Sequence, residues 1–255
     1  MSLFKSKAGV QSPSLFNVNS HGVTDIGHVR TKNEDSILLL PKESAWIVAD
    51  GMGGHHAGDF ASQTITQNME LFKCQPTLEG SISLMEENLI HSNAIIRKKA
   101  LKFGLNKTIG STVVSVHIWG KFIFAFWAGD SRLYRHRDNQ LIRLTEDHSY
   151  VEELVKMGKV KAKDAESHPA SNVVLKAVGI DDDLRADLSY FEMQNDDIYI
   201  VCSDGLYKDL NESEILHIIQ DNKNDLPLLN QALLSSSLDA GGSDNTSIIA
   251  IKVTQ

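Results

Sequence analysis

Three observations predict an α+β layered domain. Helical and strand periodicities fall in separate blocks, without strict βαβ alternation. Runs such as FIFAFWA and IYIVC are apolar throughout, as strands of a sheet interior are. The 255 residues, 42% hydrophobic and 23% charged, suffice for one sizeable core and a solvated surface.

Residues 1–17 read as a flexible polar leader, with Lys5 and Lys7 in a frayed tail, and 18–255 as one domain. Short β-type stretches lie within 18–26 and 36–48, the second running into WIVAD before a glycine cluster. Apolar residues then recur at helical spacing over 57–73 (Ile65, Met69, Phe72) and 80–103 (Leu84, Leu89, Ile96, Leu101), giving two antiparallel helices. STVVSVHI and KFIFAFWA, around Trp119-Gly120, make a hairpin, and LYRHRDNQLIRL makes another with Asp138-Asn139 as its turn. Residues 147–180 are mixed and polar, without a clean period, and are expected to form a mobile flap. Strands return near 185–191 and 197–203, helices fit 211–221 and 225–238, and SIIAIKV is the last strand.

Composition excludes several classes of function. A net charge of −8 disfavours nucleic acid and anionic lipid as partners. Cys74 and Cys202 alone make neither a disulfide framework nor a zinc cluster, and Cys202 sits in an apolar run as a small buried thiol. No apolar run reaches the roughly 18–20 residues that span a bilayer, and MSLFKSKAGVQS lacks the apolar stretch of a signal peptide. A cytoplasmic monomer with no membrane association is the expectation.

Chemistry enters where the apolar strands stop. In VRTKNEDS, Glu34 and Asp35 precede a strand and Arg30 lies just upstream; Asp50 ends WIVAD, Asp130 follows FIFAFWAG, Asp204 follows IYIVCS, and Asp244 precedes the last strand in GGSDNTS. Taken singly, each is an ordinary turn of Asp, Asn, Ser and Gly. Together they put several acids at the rim of a buried layer. Two like charges about 4 Å apart repel by roughly 4 kcal/mol at an effective dielectric of 20, so such a cluster needs a cation. Oxygen-only ligands suit Mg²⁺ or Mn²⁺ rather than zinc or copper. Gly51 after Asp50 would let a backbone carbonyl approach as a further ligand.

These motifs resemble the type 2C metal-dependent protein serine/threonine phosphatases, especially their compact bacterial members. The likeness runs through VRTKNEDS, VADGMGGHHAGDFAS, TIGSTVV, WAGDSRLYR, TEDHS, SNVVLKAVG, SDGL and GGSDNTS in the family's order, from about residue 20 to 253. It implies a four-layer α-β-β-α sandwich, two central, mostly antiparallel sheets flanked by helix pairs, with a binuclear Mn²⁺ or Mg²⁺ centre at one end. By motif, Asp50 would bridge two metals, Asp204 and Asp244 would complete one site, and Glu34 with the Gly51 carbonyl the other. Asp35 would hold a metal-bound water, and Asn245 would support the last ligand. Asp130 with Asp204 resembles the pair that binds a third, weaker metal. The implied reaction is hydrolysis of phosphoserine and phosphothreonine in protein substrates, opposing a bacterial serine/threonine kinase, with Arg30 as phosphate clamp.

The general acid is less direct, because eukaryotic relatives carry a histidine straight after the metal-binding Asp-Gly and this chain has Met52 there. His55 is the expected acid, with His56 beside it as the alternative; His148 of TEDHS reads equally as a flap anchor. Two departures stand out: Ser171 before Asn172 where the family usually has arginine, and Gly110-Ser111-Thr112 where a second threonine is common. Two rivals remain. A catalytically silent phosphoprotein-binding module would be expected to lack a metal ligand, and a small-ester hydrolase would want a deep pocket with a stacking aromatic.

Overall fold

The computed structural model describes residues 14–53, 57–103 and 108–255. Among these described residues, eleven strands make two antiparallel sheets. The first sheet contains β1 (Asn17–Asp25), β7 (Arg132–Arg137), β8 (Gln140–Arg143), β10 (Ile198–Cys202) and β11 (Thr246–Thr254), in the order β1-β11-β10-β7-β8. The second contains β2 (Asp35–Leu40), β3 (Ala45–Gly53), β5 (Val113–Trp119), β6 (Phe122–Ala128) and β9 (Asp187–Glu192), in the order β2-β3-β5-β6-β9, with β4 (Ile109–Ser111) paired to the end of β3.

The helices are α1 (Gly58–Glu70), α2 (Leu78–Phe103), α3 (Tyr150–Lys156), α4 (Asp204–Asp209), α5 (Glu212–Asn222) and α6 (Leu226–Ala240). Side-chain alternation along the strands builds three cores. In β3, Ala45, Ile47 and Ala49 face α1 and α2, while Trp46 and Val48 face the other sheet. In β10, Tyr199 and Val201 enter the core between the sheets, while Ile198, Ile200 and Cys202 pack beneath α4, α5 and α6. Both faces of these strands are covered, which is why their sequences are continuously apolar. The α-β-β-α order matches expectation.

Several boundaries differ from the sequence reading, each for a local reason. The 36–48 stretch divides at a 3₁₀ turn over Pro41–Glu43, where Ser44 takes a left-handed conformation at φ 52°. The 111–118 strand divides at Thr112, whose N–H donates to the Asp50 carbonyl at 2.8 Å. Segment 147–180 carries a helix after all: Ser149 caps α3 by accepting from the Glu152 N–H at 3.2 Å, the pattern signalled by Ser-x-x-Glu. The six-residue α4 is too short to show a period. Asp138 and Asn139 both have positive φ, 50° and 58°, the mirror-image turn that joins β7 to β8. β1 starts at Asn17; the rest of the expected leader up to residue 13 lies outside the described residues.

Candidate metal centre

Antiparallel order brings the end of β3, the approach to β7, the end of β10 and the starts of β2 and β11 to one rim of the sandwich. Asp35 opens β2 directly opposite Asp50 in β3. Asp50 is not at a strand end, as the sequence suggested; it lies where β3 leaves β5 at Val48 and takes up β4 at Gly51. Asp204 is the first residue of α4, and Asp244 and Asn245 lead into β11. Asp35, Asp130 and Asp204 are buried, and Asp50 half-buried.

The electrostatics are those of acids crowded away from water. Burial pushes Asp35 up to about 7, helped by the charges of Asp204 and Asp244 and opposed by hydrogen bonds from Ser247 and Ser203. Burial and the neighbouring Asp204 push Asp130 up to about 7, with Lys208 opposing. Asp50 is raised well above the ordinary carboxylate range, by burial first and then by Asp35, Asp204, Asp130 and Asp244. Two oxygens, Asp35 Oδ1 and Asp204 Oδ1, are buried without a hydrogen-bond partner among the described residues. A buried carboxylate oxygen left without a donor is costly unless a cation or water meets it.

Basic side chains answer part of this charge. Arg30 donates to Asp244 Oδ2 at 2.6 Å with its own side chain half-exposed, and Lys208 forms an ion pair with Asp204. Burial works against the Arg30 charge, but the bond to Asp244 and the fields of Asp244, Asp204 and Asp50 outweigh it and raise its pKa. With these pairs made, no three His, Cys, Asp or Glu side chains among the described residues already form a ligand set.

The loop carrying Glu34 is fixed by Asn245, which accepts from the Glu34 N–H at 2.8 Å and donates to the carbonyls of Ile26 at 2.9 Å and Lys32 at 3.0 Å. The resemblance implied that Asn245 supports the last ligand; its side chain instead bonds the loop that carries Glu34. Gly51 cannot be replaced without moving backbone, since a Cβ there would lie 2.1 Å from the Gly58 carbonyl oxygen and 2.5 Å from that of Glu34. A Cβ on Gly58 would lie 2.7 Å from the Gly51 oxygen and 2.8 Å from the Glu34 carboxyl carbon. These two glycines therefore leave the Gly51 carbonyl and the Glu34 carboxylate side by side. An all-oxygen donor set with unmet buried oxygens fits Mn²⁺ or Mg²⁺.

The 147–180 segment, expected to be a mobile flap, is tied down by charge. Arg132 donates through Nε and Nη2 to Asp147 at 3.1 and 2.6 Å and through Nη2 to Glu166 at 2.6 Å, while Arg143 reaches Glu152 at 3.0 Å. A cleft of about 760 Å³ lies between this segment and α4–α5, with Asp130 and Ser171 among its lining residues. His148 is an anchor: its Nδ1 accepts from the Gly129 N–H at 3.1 Å, and its ring stacks on Trp127 with centroids 6.1 Å apart. His55 and His56 lie outside the described residues. Sequence reasoning missed Lys208, Arg132 and Ser203, whose hydroxyl donates to Asp35 Oδ2 at 2.8 Å. The spacing of Asp204 and Lys208, one turn apart in SDGLYK, was the available signal for the first.

Residues 27–231 match the family model described as protein phosphatase 2C. The chain belongs to the protein phosphatase 2C family. Among curated proteins it is 30% identical over 236 residues to the serine/threonine phosphatase stp of Listeria welshimeri, covering 90% of this chain and 93% of that one. Among solved structures it resembles PppA, described as a key regulatory component of T6SS in Pseudomonas aeruginosa. The TM-score is 0.84 and the identity 33%, over 92% of this chain and 97% of that one. The catalytic domain of the phosphatase PstP, solved with two manganese ions, aligns with a TM-score of 0.82 and 25% identity over 93% of this chain and 99% of that one. Protein phosphatase 2C relatives are hydrolases of phosphoproteins, which favours the catalytic reading over the silent module.

Proposed function

We propose that this chain hydrolyses phosphoserine and phosphothreonine in protein substrates at a binuclear Mn²⁺ or Mg²⁺ centre, held by Glu34, the Gly51 carbonyl, Asp50, Asp204 and Asp244. The observation that supports it best is the acidic rim itself, whose crowded carboxylates are driven toward neutrality and keep two oxygens without partners among the described residues. When bound, such cations lower the pKa of a water and act as Lewis acids toward a phosphoryl oxygen.

The chain's own residues do the rest. Asp35, opposite Asp50 and bonded on one oxygen by Ser203, has its other oxygen without a partner among the described residues, where it can accept from a water and fix its direction of attack. Arg30, half-exposed and bonded to one oxygen of Asp244, can exchange that carboxylate for the two equatorial oxygens of a phosphate. His55 is the candidate donor of a proton to the departing serine or threonine oxygen. Substrates are phosphoproteins made by a serine/threonine kinase, and the setting is the cytoplasm; among the described residues, no helix is long and apolar enough to cross a membrane.

The test is hydrolysis of p-nitrophenyl phosphate and a phosphothreonine peptide with Mn²⁺, Mg²⁺, Ca²⁺ or chelator, alongside Asp50→Asn and Asp244→Asn. Mn²⁺-dependent turnover lost in both variants is the expected result. Folded protein inactive with every metal would sink the proposal in favour of a phosphoprotein-binding module.

A further inference from the structure

Asp130 and Asp204 are two buried carboxylates whose charges act on each other, the pair that the sequence reading linked to a third metal. A cation already stands beside Asp204. Lys208 lies one helical turn after Asp204 on α4, and its ammonium pairs with Asp204 Oδ2. The two side chains are only 17% and 11% exposed, so this is not a solvated surface pair. Lysine is rarely buried unless an acid compensates it. Its field reaches Asp130 and Asp50 as well as Asp204.

The helix that carries Lys208 is bolted to the loop that carries Asp130. The Tyr207 hydroxyl donates to the Asp130 carbonyl at 2.9 Å, and the Arg132 guanidinium lies 3.4 Å from the centre of the Tyr207 ring. At its other end, α4 presses on the last loop: a Cβ on Gly205 would lie 2.2 Å from the Asn245 carbonyl oxygen, and Ser237 Oγ donates to the Gly205 carbonyl at 3.1 Å. These contacts fix the backbone of α4 against the loop that carries Asp130.

We infer that the Lys208 ammonium is the resident cation of the Asp130–Asp204 pair, so that this chain binds two divalent ions and fills the place of a third with its own side chain. The inference rests on the binuclear reading above. An ammonium held in the space beside these carboxylates leaves a divalent ion there fewer free oxygens and a like charge to face, which weakens its binding. The expected consequence is a stoichiometry of two divalent ions per chain.

The experiment counts Mn²⁺ bound to the full chain by equilibrium dialysis, with free Mn²⁺ read by electron paramagnetic resonance, for wild type, Lys208→Arg, Lys208→Met and Lys208→Asp; circular dichroism checks that each variant is folded. Two ions in wild type and Lys208→Arg, with a third, weaker ion in Lys208→Asp, is the expected result. Lys208→Met removes the charge while keeping the length and is expected to bind a third ion more weakly than Lys208→Asp. Three ions in wild type would overturn the inference and leave the phosphatase reading standing. An unchanged count in folded Lys208→Asp and Lys208→Met, with tighter binding of the first two ions, would also overturn it, because Lys208 would then only compete with the binuclear centre. No Mn²⁺ bound by folded wild type would remove the binuclear reading and the inference together.

Discussion

The two ends of β10 each present a buried aspartate, and the sandwich treats them in opposite ways. Asp197, just before Ile198, is fully enclosed and fully answered. Arg137 donates to it twice, at 2.7 and 2.6 Å, the Tyr199 hydroxyl at 2.9 Å and the Gln194 N–H at 2.8 Å. Asp204, two residues after Cys202, has Lys208 on one oxygen and no partner among the described residues on the other. The chain can satisfy a buried acid when the acid serves the fold. Where it leaves acids crowded and partly unmet, the unspent capacity is available to an ion.

Substitutions at the two ends should therefore separate activity from stability. Asp50→Asn is expected to lower turnover of p-nitrophenyl phosphate by about 10³-fold, at the upper end of what losing one transition-state contact costs. With chelator present, the same variant should be at least as stable as wild type, since a neutral amide relieves the repulsion. Asp197→Asn should do the reverse: about 3 kcal/mol lost in urea denaturation, because Arg137 loses its buried partner, with turnover per folded molecule unchanged. Equal destabilisation by both would erase the contrast.

The pH dependence sharpens it. Asp35 and Asp130 are raised to about 7 in the folded chain, whereas an unfolded aspartate titrates near about 4. Between those values the folded chain holds more protons than the unfolded one, so these groups make the metal-free protein lose stability as pH rises. The field of Mn²⁺ bound at the neighbouring Asp50, Asp204 and Asp244 would favour loss of those protons. The rise in Tm on adding Mn²⁺ should accordingly grow from about pH 5 to about pH 7.5, and grow less in Asp50→Asn; a gain independent of pH would count against ionisation of these acids on metal binding.

The smallest expected effect concerns the flap. Glu166 is partly exposed, and an ion pair of that kind is worth about 0.5–1 kcal/mol, so Glu166→Gln should raise KM for a phosphopeptide about two- to fivefold while leaving p-nitrophenyl phosphate alone. Faster proteolytic cutting within residues 157–175 would accompany it. Equal effects on both substrates would mean that the flap serves the metal end rather than the polypeptide.

What the sequence made legible follows from burial. Strands covered on both faces advertise themselves as apolar runs, and acids at their tips stand out against them, so the sheets and Asp35, Asp50, Asp130 and Asp204 could be found in order. Asp244 and Asn245 came from the GGSDNTS motif. The elements that hold these residues in place were harder to read. Helix α4 is six residues long and α3 seven, too short for a period to register, and Lys208 looks like any polar helix residue until its neighbours are known. Arg132 follows Asp130 and Ser131 directly, yet its partners Asp147 and Glu166 are 15 and 34 residues away. A lattice of charges between distant segments leaves no local pattern.

The pairing of β1 with β11 carries a consequence for how the molecule is made. Asn17 stands opposite Thr254 and Asp25 opposite Thr246, so the earliest strand waits for the latest before the first sheet can close. Contacts of such long sequence separation form slowly. During synthesis on the ribosome, β1 and β10 would both present bare edges to other nascent chains until residues 246–254 emerge and slot between them. Arg30 and Asp244 are brought together by the same event, so assembly of the rim and completion of the sheet are a single late step.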